Sequence, residues 1–137
     1  MKKYAGLFLI LAFFLTACSA NFSFSGKPDD IIFGTGTLKG GIKEKKKTFS
    51  PDEDFLFETK LSNSFETTEV TMMILHTENG REEIYEDWLE SVDPSWDEYL
   101  SEFQDVEENG AFDKGKYTVR MFNKESELIA EGTFSIK

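Results

Sequence analysis

Apolar and polar residues alternate along much of this chain, and the alternation predicts β-strands. Residues 54–61 carry apolar or small side chains at every second position, the period expected of a strand with one buried face. Residues 69–76 are apolar on both faces at their centre, as in a central strand. Residues 31–38 are interrupted by glycine, which predicts a first strand at the edge of a sheet. The predicted buried face of residues 54–61 consists of Phe55, Phe57, Thr59 and Leu61.

Turn signals connect such segments into hairpins. Asn79-Gly80 supplies the two positive φ angles of a type I′ turn, so a return strand is expected over residues 82–88. Apolar and polar side chains alternate again over residues 117–122. Residues 123–126 form a turn that leads into a long last strand. One face of that strand carries Leu128, Ala130, Phe134 and Ile136, with Gly132 at the position that lacks a side chain. Several short strands with regular turn signals predict an all-β sandwich.

Residues 93–106 depart from the two-residue period and predict a short helix lying across the sandwich. Asp93 is a good N-cap, and Pro94 suits the first position of a helix. The large side chains that follow recur at intervals of three and four, the spacing of an amphipathic helix face. These side chains are Trp96, Tyr99, Leu100 and Phe103. A pair of irregular strands is the alternative, because tertiary contacts often override helix propensity.

The beginning of the chain follows a third pattern. Two lysines precede the apolar run of residues 6–15, and the small residues Thr16 and Ala17 stand before Cys18. The apolar run is shorter than the roughly 20 residues that a membrane-spanning helix needs. The segment Leu15-Thr16-Ala17-Cys18 resembles the lipobox of bacterial lipoproteins. The alternative is an ordinary secretory signal followed by a free thiol.

The lipobox resemblance implies that residues 1–17 are a lipoprotein signal peptide. Cleavage would fall between Ala17 and Cys18, and Cys18 would carry the lipid as the first residue of the mature chain. Two acyl chains give stable anchoring where a single chain is marginal. Residues 18–30 are polar and Ser-rich, which indicates a flexible tether. The expected location is therefore extracytoplasmic, lipid-anchored to the cell membrane, and the Lys-, Glu- and Phe-rich composition favours a Gram-positive type.

Charge narrows the choice of partners. The net charge of −11 disfavours nucleic acid, because an acidic surface repels phosphate backbones. It also repels anionic lipid, so a covalent anchor rather than a basic patch is the expected means of staying at a membrane. The single cysteine excludes an intramolecular disulfide, so stability must come from packing. One basic run, residues 43–47, is interpreted as a solvated loop, with contact to anionic headgroups or wall polymer as the alternative.

Asp113, Gly115 and Tyr117 form the pattern Asp-x-Gly-x-Tyr directly before a predicted strand. The pattern resembles the tyrosine corner of immunoglobulin-like sandwiches, in which the tyrosine hydroxyl bonds to the backbone a few residues upstream. Antibody domains have a cysteine two residues after this tyrosine, and here that position is Val119, so the inter-sheet disulfide is missing. The resemblance implies an immunoglobulin-like antiparallel β-sandwich over residues 31–137. A fold alone does not give a function.

Residues with catalytic or metal-binding chemistry are sparse. His76 is the single histidine and lies beside a predicted hairpin, which favours a structural role over that of a general base. The sequence has no nucleophile elbow and no phosphate-binding glycine loop, so we predict no enzyme activity and no cofactor. One histidine and a lipidated cysteine do not make a zinc site. Residues 105–113 partly resemble an EF-hand loop, but Lys116 stands where that loop needs a bidentate glutamate.

Aromatic and acidic residues are interleaved between positions 82 and 99. The aromatic members, Tyr85, Trp88, Trp96 and Tyr99, are a candidate face for a cationic protein or peptide, because aromatic residues are enriched at interfaces. The alternative is that these rings pack the predicted helix onto the sheet. The sequence thus predicts a membrane-anchored lipoprotein that acts as a non-catalytic binding or accessory module for another cell-envelope component, with an envelope protein as the expected partner. A lipoprotein that binds a small solute or a cation such as calcium is the alternative function.

Overall fold

A computed structural model describes residues 27–103 and 112–137 of the chain. Within these residues the protein consists of nine β-strands and contains no helix, which confirms the prediction of an all-β fold. The strands are β1 (Asp29–Thr37), β2 (Gly41–Lys45), β3 (Thr48–Phe49), β4 (Phe55–Lys60), β5 (Glu69–Glu78), β6 (Arg81–Ser91), β7 (Glu98–Phe103), β8 (Gly115–Phe122) and β9 (Leu128–Ile136).

The nine strands form one mixed sheet that curls on itself. Its order is β6-β5-β8-β9-β1-β4-β7, while β2 pairs with β1 and β3 pairs with β9. One half of the sheet consists of β6, β5, β8 and β9, which are antiparallel neighbours. The other half contains β1, β4 and β7, in which β4 is antiparallel to both β1 and β7. The two halves are joined where β1 runs parallel to β9, with Asp29 opposite Ala130 and Asp30 opposite Glu131. Strand β1 then leaves β9 and continues between β4 and β2.

The glycines of β1 mark close backbone approach rather than a sheet edge. A Cβ atom at Gly34 would overlap the carbonyl oxygen of Glu44 in β2, and one at Gly36 would overlap that of Gly41. The prediction of an edge strand is therefore wrong, because the backbone of β2 passes close to β1 at both glycines. The basic run that we interpreted as a loop begins inside β2, which ends at Lys45.

The core lies between the two halves of the sheet and is rich in phenylalanine. The ring of Phe134 in β9 lies 5.1 Å from that of Phe33 in β1, 5.0 Å from that of Phe55 in β4 and 5.1 Å from that of Tyr117 in β8, measured between centroids. Contacts from both halves to one ring show that the halves face each other, as in a sandwich-like β fold. The predicted inward faces are confirmed for Phe55, Phe57, Thr59, Leu61, Ala130, Phe134 and Ile136, which are all buried, whereas Leu128 is half-buried.

The β5–β6 hairpin forms at the predicted turn. Asn79 has a φ angle of 52° and Gly80 one of 77°, so both residues have the positive φ angles that a type I′ turn requires. The return strand is longer than predicted and continues to Ser91. This hairpin contributes β5 to the centre of one half of the sheet and β6 to its end.

The helix predicted over residues 93–106 is wrong for the part that the structure describes, since residues 98–103 form β7. All six residues of β7 pair with β4. The ring of Phe103 in β7 stacks on that of Phe57 in β4, with ring centroids 4.6 Å apart. Asp93 uses its carboxylate to close a turn, accepting hydrogen bonds from the backbone nitrogen and the hydroxyl of Ser95 at 2.8 and 2.6 Å. An N-cap residue and a turn residue have the same short acceptor side chain, so the sequence did not distinguish them.

Candidate functional site

Strands β6 and β7 are the two ends of the sheet order, and the curl of the sheet brings them opposite each other across an open seam. At one end of the seam the ring of Phe112 lies between Tyr85 of β6 and Phe103 of β7, with centroid distances of 5.4 and 5.7 Å. At the other end the carboxylate of Glu90 in β6 lies beside the hydroxyl of Tyr99 in β7. Side chains therefore bridge the two strands at both ends of the seam.

A cleft of about 440 Å³ opens between these two bridges, and we call it the seam cleft. Its volume lies in the range of about 300–1,000 Å³ that is typical of ligand pockets. The cleft combines apolar, aromatic and acidic groups drawn from both strands and from the neighbouring β5 and β1–β2 turn. The lining residues are Leu38, Ile74, Glu86, Trp88, Ser101, Glu102 and Phe103.

The register of β6 with β5 determines which side chains of β6 enter the seam cleft. Glu86 is opposite Ile74, and Trp88 is opposite Met72; both of these β5 residues are buried in the core. Cross-strand partners point to the same side of a sheet, so Glu86 and Trp88 both point inward. A carboxylate and an indole ring thus enter the cleft two residues apart on one strand.

The outward side of β6 carries two exposed apolar side chains. Ile84 is 61% exposed and Leu89 is 65% exposed. They share one face because a β-bulge at Tyr85 shifts the register between them. The extra residue turns its ring inward, where it meets the ring of Tyr117 at a centroid distance of 5.4 Å. As a result, the inward side of β6 presents acidic and aromatic groups, whereas the outward side presents Ile84 and Leu89 together with the carboxylate of Asp87, which is opposite Met73.

The protein environment changes the ionisation of two tyrosines at the seam. Burial is the main cause that raises the pKa of Tyr99 to about 12, and the charge of Glu90 adds to the increase. Burial also raises the pKa of Tyr85, with further contributions from the carboxylates of Asp113 and Glu86. Both hydroxyls therefore remain protonated at neutral pH and can donate hydrogen bonds.

The structure brings together only part of the predicted aromatic face. Trp88 lines the seam cleft and donates from its indole nitrogen to Glu90 at 3.0 Å, and the same carboxylate lies beside Tyr99. Tyr85 closes the far end of the seam through Phe112. Trp96 lies outside the cleft lining, in the turn before β7, and is 52% exposed. The alternative interpretation was that these rings pack a helix onto the sheet. Residues 98–103 of that predicted helix form a strand instead.

Sequence reasoning missed several residues of the cleft. The two-residue spacing of Glu86 and Trp88 could have placed both on one face of the return strand, because that strand was predicted. Ser101 and Glu102 could not be assigned in this way, because their segment was interpreted as helix. Leu38 reaches the cleft from the turn between β1 and β2, and no local pattern indicates that contact.

The Asp-x-Gly-x-Tyr residues form a compact structural cluster at the start of β8. The hydroxyl of buried Tyr117 donates to the backbone oxygen of Asp113 at 2.7 Å, the upstream bond that the sequence pattern predicts. Gly115 has a φ angle of 151°, and a Cβ atom there would overlap the imidazole of His76. The His76 ring in turn stacks on Tyr117 with centroids 4.7 Å apart. His76 is thus part of the packing around the tyrosine.

Stability at alkaline pH is expected to depend on two tyrosines, the buried Tyr117 and the half-buried Tyr99. Burial, assisted by Tyr85 and Asp113, raises the pKa of Tyr117 to about 12, and that of Tyr99 is also about 12, against 10.0 for a free side chain. Above about pH 10 the unfolded chain loses protons that the folded chain keeps, so the free energy of unfolding should fall as the pH rises toward about 12. Below about pH 10 this contribution should be fully present.

Urea unfolding at a series of pH values, followed by circular dichroism, would measure this dependence. The variants Tyr99→Phe and Tyr117→Phe should each flatten the alkaline decline, because phenylalanine has no proton to lose. The double variant should retain the smallest slope. An unchanged slope in the double variant would show that other groups control alkaline stability.

Residues 27–103 and 112–137 contain no group of three or more His, Cys, Asp or Glu side chains placed to hold a metal ion. The EF-hand-like segment lies mostly outside the described residues; Asp113 and Lys116, at its end and beyond it, are exposed. In the described part of the chain no helix is long and apolar enough to cross a membrane. Cys18 and the segment around it lie outside the described residues.

No model of a known protein family matches the chain. No curated protein matches it either. The candidate site therefore rests on its own residues: a cleft of mixed aromatic and acidic character between the two end strands of a curled all-β sheet.

Proposed function

We propose that this protein is a lipid-anchored, extracytoplasmic binding module that acts on another component of the cell envelope without catalysing a reaction. The observation that carries the proposal is the seam cleft, in which an indole ring and the Glu86 carboxylate are accessible between two strands that the core holds in place. Aromatic anchors surrounded by polar groups are typical of recognition sites. The tyrosine-corner geometry supports an immunoglobulin-like arrangement of the domain.

The lipobox-like segment supports a membrane location for this module. Lipid on Cys18 would confine the domain to a membrane surface, most simply the outer face of the cytoplasmic membrane of a Gram-positive cell. Confinement raises the effective concentration of the domain for neighbouring partners, so contacts of modest affinity are sufficient. An acidic module on a covalent anchor also avoids dependence on attraction to anionic headgroups.

The test compares the native chain with Cys18→Ala in cells, using a C-terminal tag, membrane fractionation and chemical crosslinking followed by mass spectrometry. The native chain should sediment with membranes and capture a specific envelope protein, because the anchor holds the two together. The Cys18→Ala variant should lose both membrane association and most of the captured partner. Ser19→Ala is the matched control, since it changes the next residue and leaves the cysteine available.

Two results would contradict the proposal separately. Equal membrane association of the native chain and Cys18→Ala would reject the lipid anchor. Background-level capture by the native chain, the Ser19→Ala control and the Cys18→Ala variant would reject a protein partner.

A second candidate function is favoured by the volume of the seam cleft, which suits a small solute as well as part of a larger partner. A ligand that binds only the folded state stabilises it. A panel of calcium, amino acids, polyamines and sugars would therefore be screened by thermal unfolding. A saturable increase in melting temperature with one solute would favour this second function over the binding of a protein.

A further inference from the structure

We propose that β6 accepts an extended basic segment of a partner polypeptide as an added strand, with alternate side chains of that segment entering the seam cleft. The inference rests on the proposed function, because it names the kind of partner that the binding module would take. The free edge of β6, the side chains on its two sides and its negative charge support this partner.

The first step concerns the edge of the sheet. Among the described residues β6 pairs with β5 alone, through ten residue pairs, so one side of its backbone has no neighbouring strand. An edge of this length presents a row of N–H and C=O groups that can pair with another chain. Strand addition at such an edge is a common way to bind extended peptides: main-chain hydrogen bonds give affinity, and alternate side chains give specificity.

Strand β6 is strongly acidic. It carries five carboxylates and one arginine, and one of the carboxylates, Glu82, is paired with Arg120 of β8. A second copy of this chain would place like charges side by side, which is unfavourable across neighbouring strands. A basic segment would instead meet charges of opposite sign, which speeds association and sets specificity. The charge pattern therefore selects a basic partner over self-association.

Alternate side chains of an added strand would meet different groups on the two sides of β6. Every second side chain would point inward, toward Glu86 and Trp88, and the others outward, toward Ile84, Asp87 and Leu89. Inward lysine or arginine side chains would meet a carboxylate and the face of an indole ring, which attracts cations. Outward β-branched residues would cover the two exposed aliphatic side chains. The preferred segment thus alternates basic and apolar residues.

Binding would be measured by fluorescence anisotropy with the full chain in a non-ionic detergent and a labelled peptide of about ten residues, a length that matches β6. The probe peptide alternates lysine and valine. One control peptide has the same composition arranged in two blocks. A second carries N-methyl groups on every other residue, which removes backbone donors and leaves the side chains unchanged. A third replaces lysine by glutamate.

The alternating peptide should bind, and the block, N-methylated and glutamate peptides should each bind at least about tenfold more weakly. Glu86→Lys should weaken binding by at least about tenfold, whereas Glu125→Lys, the same charge change in the exposed β8–β9 turn, should change it by less than about threefold. Trp88→Ala should weaken binding by about five- to tenfold. Thermal unfolding of each variant would verify that it is folded.

The peptide series keeps the test independent of variant folding, because it uses the native chain. Equal binding of the alternating, block and N-methylated peptides would overturn the proposal in favour of unspecific attraction between opposite charges. A dimer that forms as the concentration of the chain rises, and that excludes the peptide, would overturn it in favour of self-association. Peptide binding tests this inference alone: if the peptides fail while crosslinking in cells captures an envelope protein, the proposed function stands and the basic-strand inference does not.

Discussion

Replacing Phe134 by alanine is expected to lower the free energy of unfolding by about 3–5 kcal/mol, the range for removing a large aromatic side chain from a core. The side chain is 1% exposed, and its ring lies close to six other aromatic rings from five strands and the segment before β8. The neighbours come from both halves of the sheet, so the cavity would lie between surfaces that cannot collapse independently. Those six rings belong to Phe33, Phe49, Phe55, Phe103, Phe112 and Tyr117.

Urea unfolding monitored by circular dichroism would measure this loss. A small domain has a total stability of roughly 5–15 kcal/mol, so this loss should remove a substantial part of it and move the urea midpoint of Phe134→Ala well below that of the native chain. Phe134→Leu keeps most of the volume and should cost about 1.5 kcal/mol or less. Phe122→Ala is the matched control, since Phe122 is half-buried and lies outside the core cluster. A loss for Phe134→Ala no larger than that for Phe122→Ala would contradict a core organised around this ring.

Local sequence patterns predicted the strands whose pairing is also local. The β5–β6 hairpin follows from the turn chemistry of Asn79 and Gly80 and from the alternation on either side of them. The inward face of β4 follows from the two-residue period, because a strand that buries one side must repeat at that interval. The closing hairpin of β8 and β9 follows from the same two signals.

Patterns failed where distant segments decide the structure. The spacing of Trp96, Tyr99 and Phe103 fits a helix, but six backbone pairings with β4 outweigh that preference. Within β7, Tyr99 and Phe103 also satisfy a two-residue period, since both pack against Phe57. A short segment with two compatible periods cannot be assigned without its neighbours.

The candidate site could likewise be predicted only in part from local sequence patterns. The aromatic and acidic composition of residues 82–99 indicated where binding chemistry is concentrated, and Trp88 does line the cleft. The cleft itself exists because the sheet curls far enough to bring its two ends together, which depends on the crossing of β1 between the halves. A sequence pattern indicates which face a residue occupies on its own strand. It does not indicate which strand lies opposite across a seam.

Gly132 in β9 lies against β1 where β1 crosses between the two halves of the sheet. Gly132→Ala should destabilise the protein by about 3 kcal/mol, the upper end of the usual cost of overpacking. Gly132 has an ordinary φ angle, so alanine should by itself stabilise the protein by about 0.4–1 kcal/mol through the unfolded state. Packing opposes this gain. A Cβ atom at Gly132 would overlap the carbonyl oxygen of Ile31 and would lie 2.9 Å from the side chains of both Ile31 and Phe33.

Ile31 follows directly after the two residues of β1 that pair with β9, so the methyl group would push apart the backbones at the junction between the halves. A flexible side chain could move aside, but this carbonyl oxygen belongs to the backbone of β1, which pairs with β4 at Ile31 and cannot shift without disturbing that pairing. Gly40→Ala is the control, because the nearest atom there is the exposed Thr37 hydroxyl at 2.9 Å, which can rotate. Urea unfolding should therefore show a large loss of stability for Gly132→Ala and a change within about 1 kcal/mol for Gly40→Ala.

Because the crossing of β1 holds β6 and β7 opposite each other, Gly132→Ala should also weaken binding of the lysine–valine peptide at temperatures where the variant is still folded. Equal stability of the two variants would mean that β1 yields at the junction, and that the curl does not depend on the missing side chain.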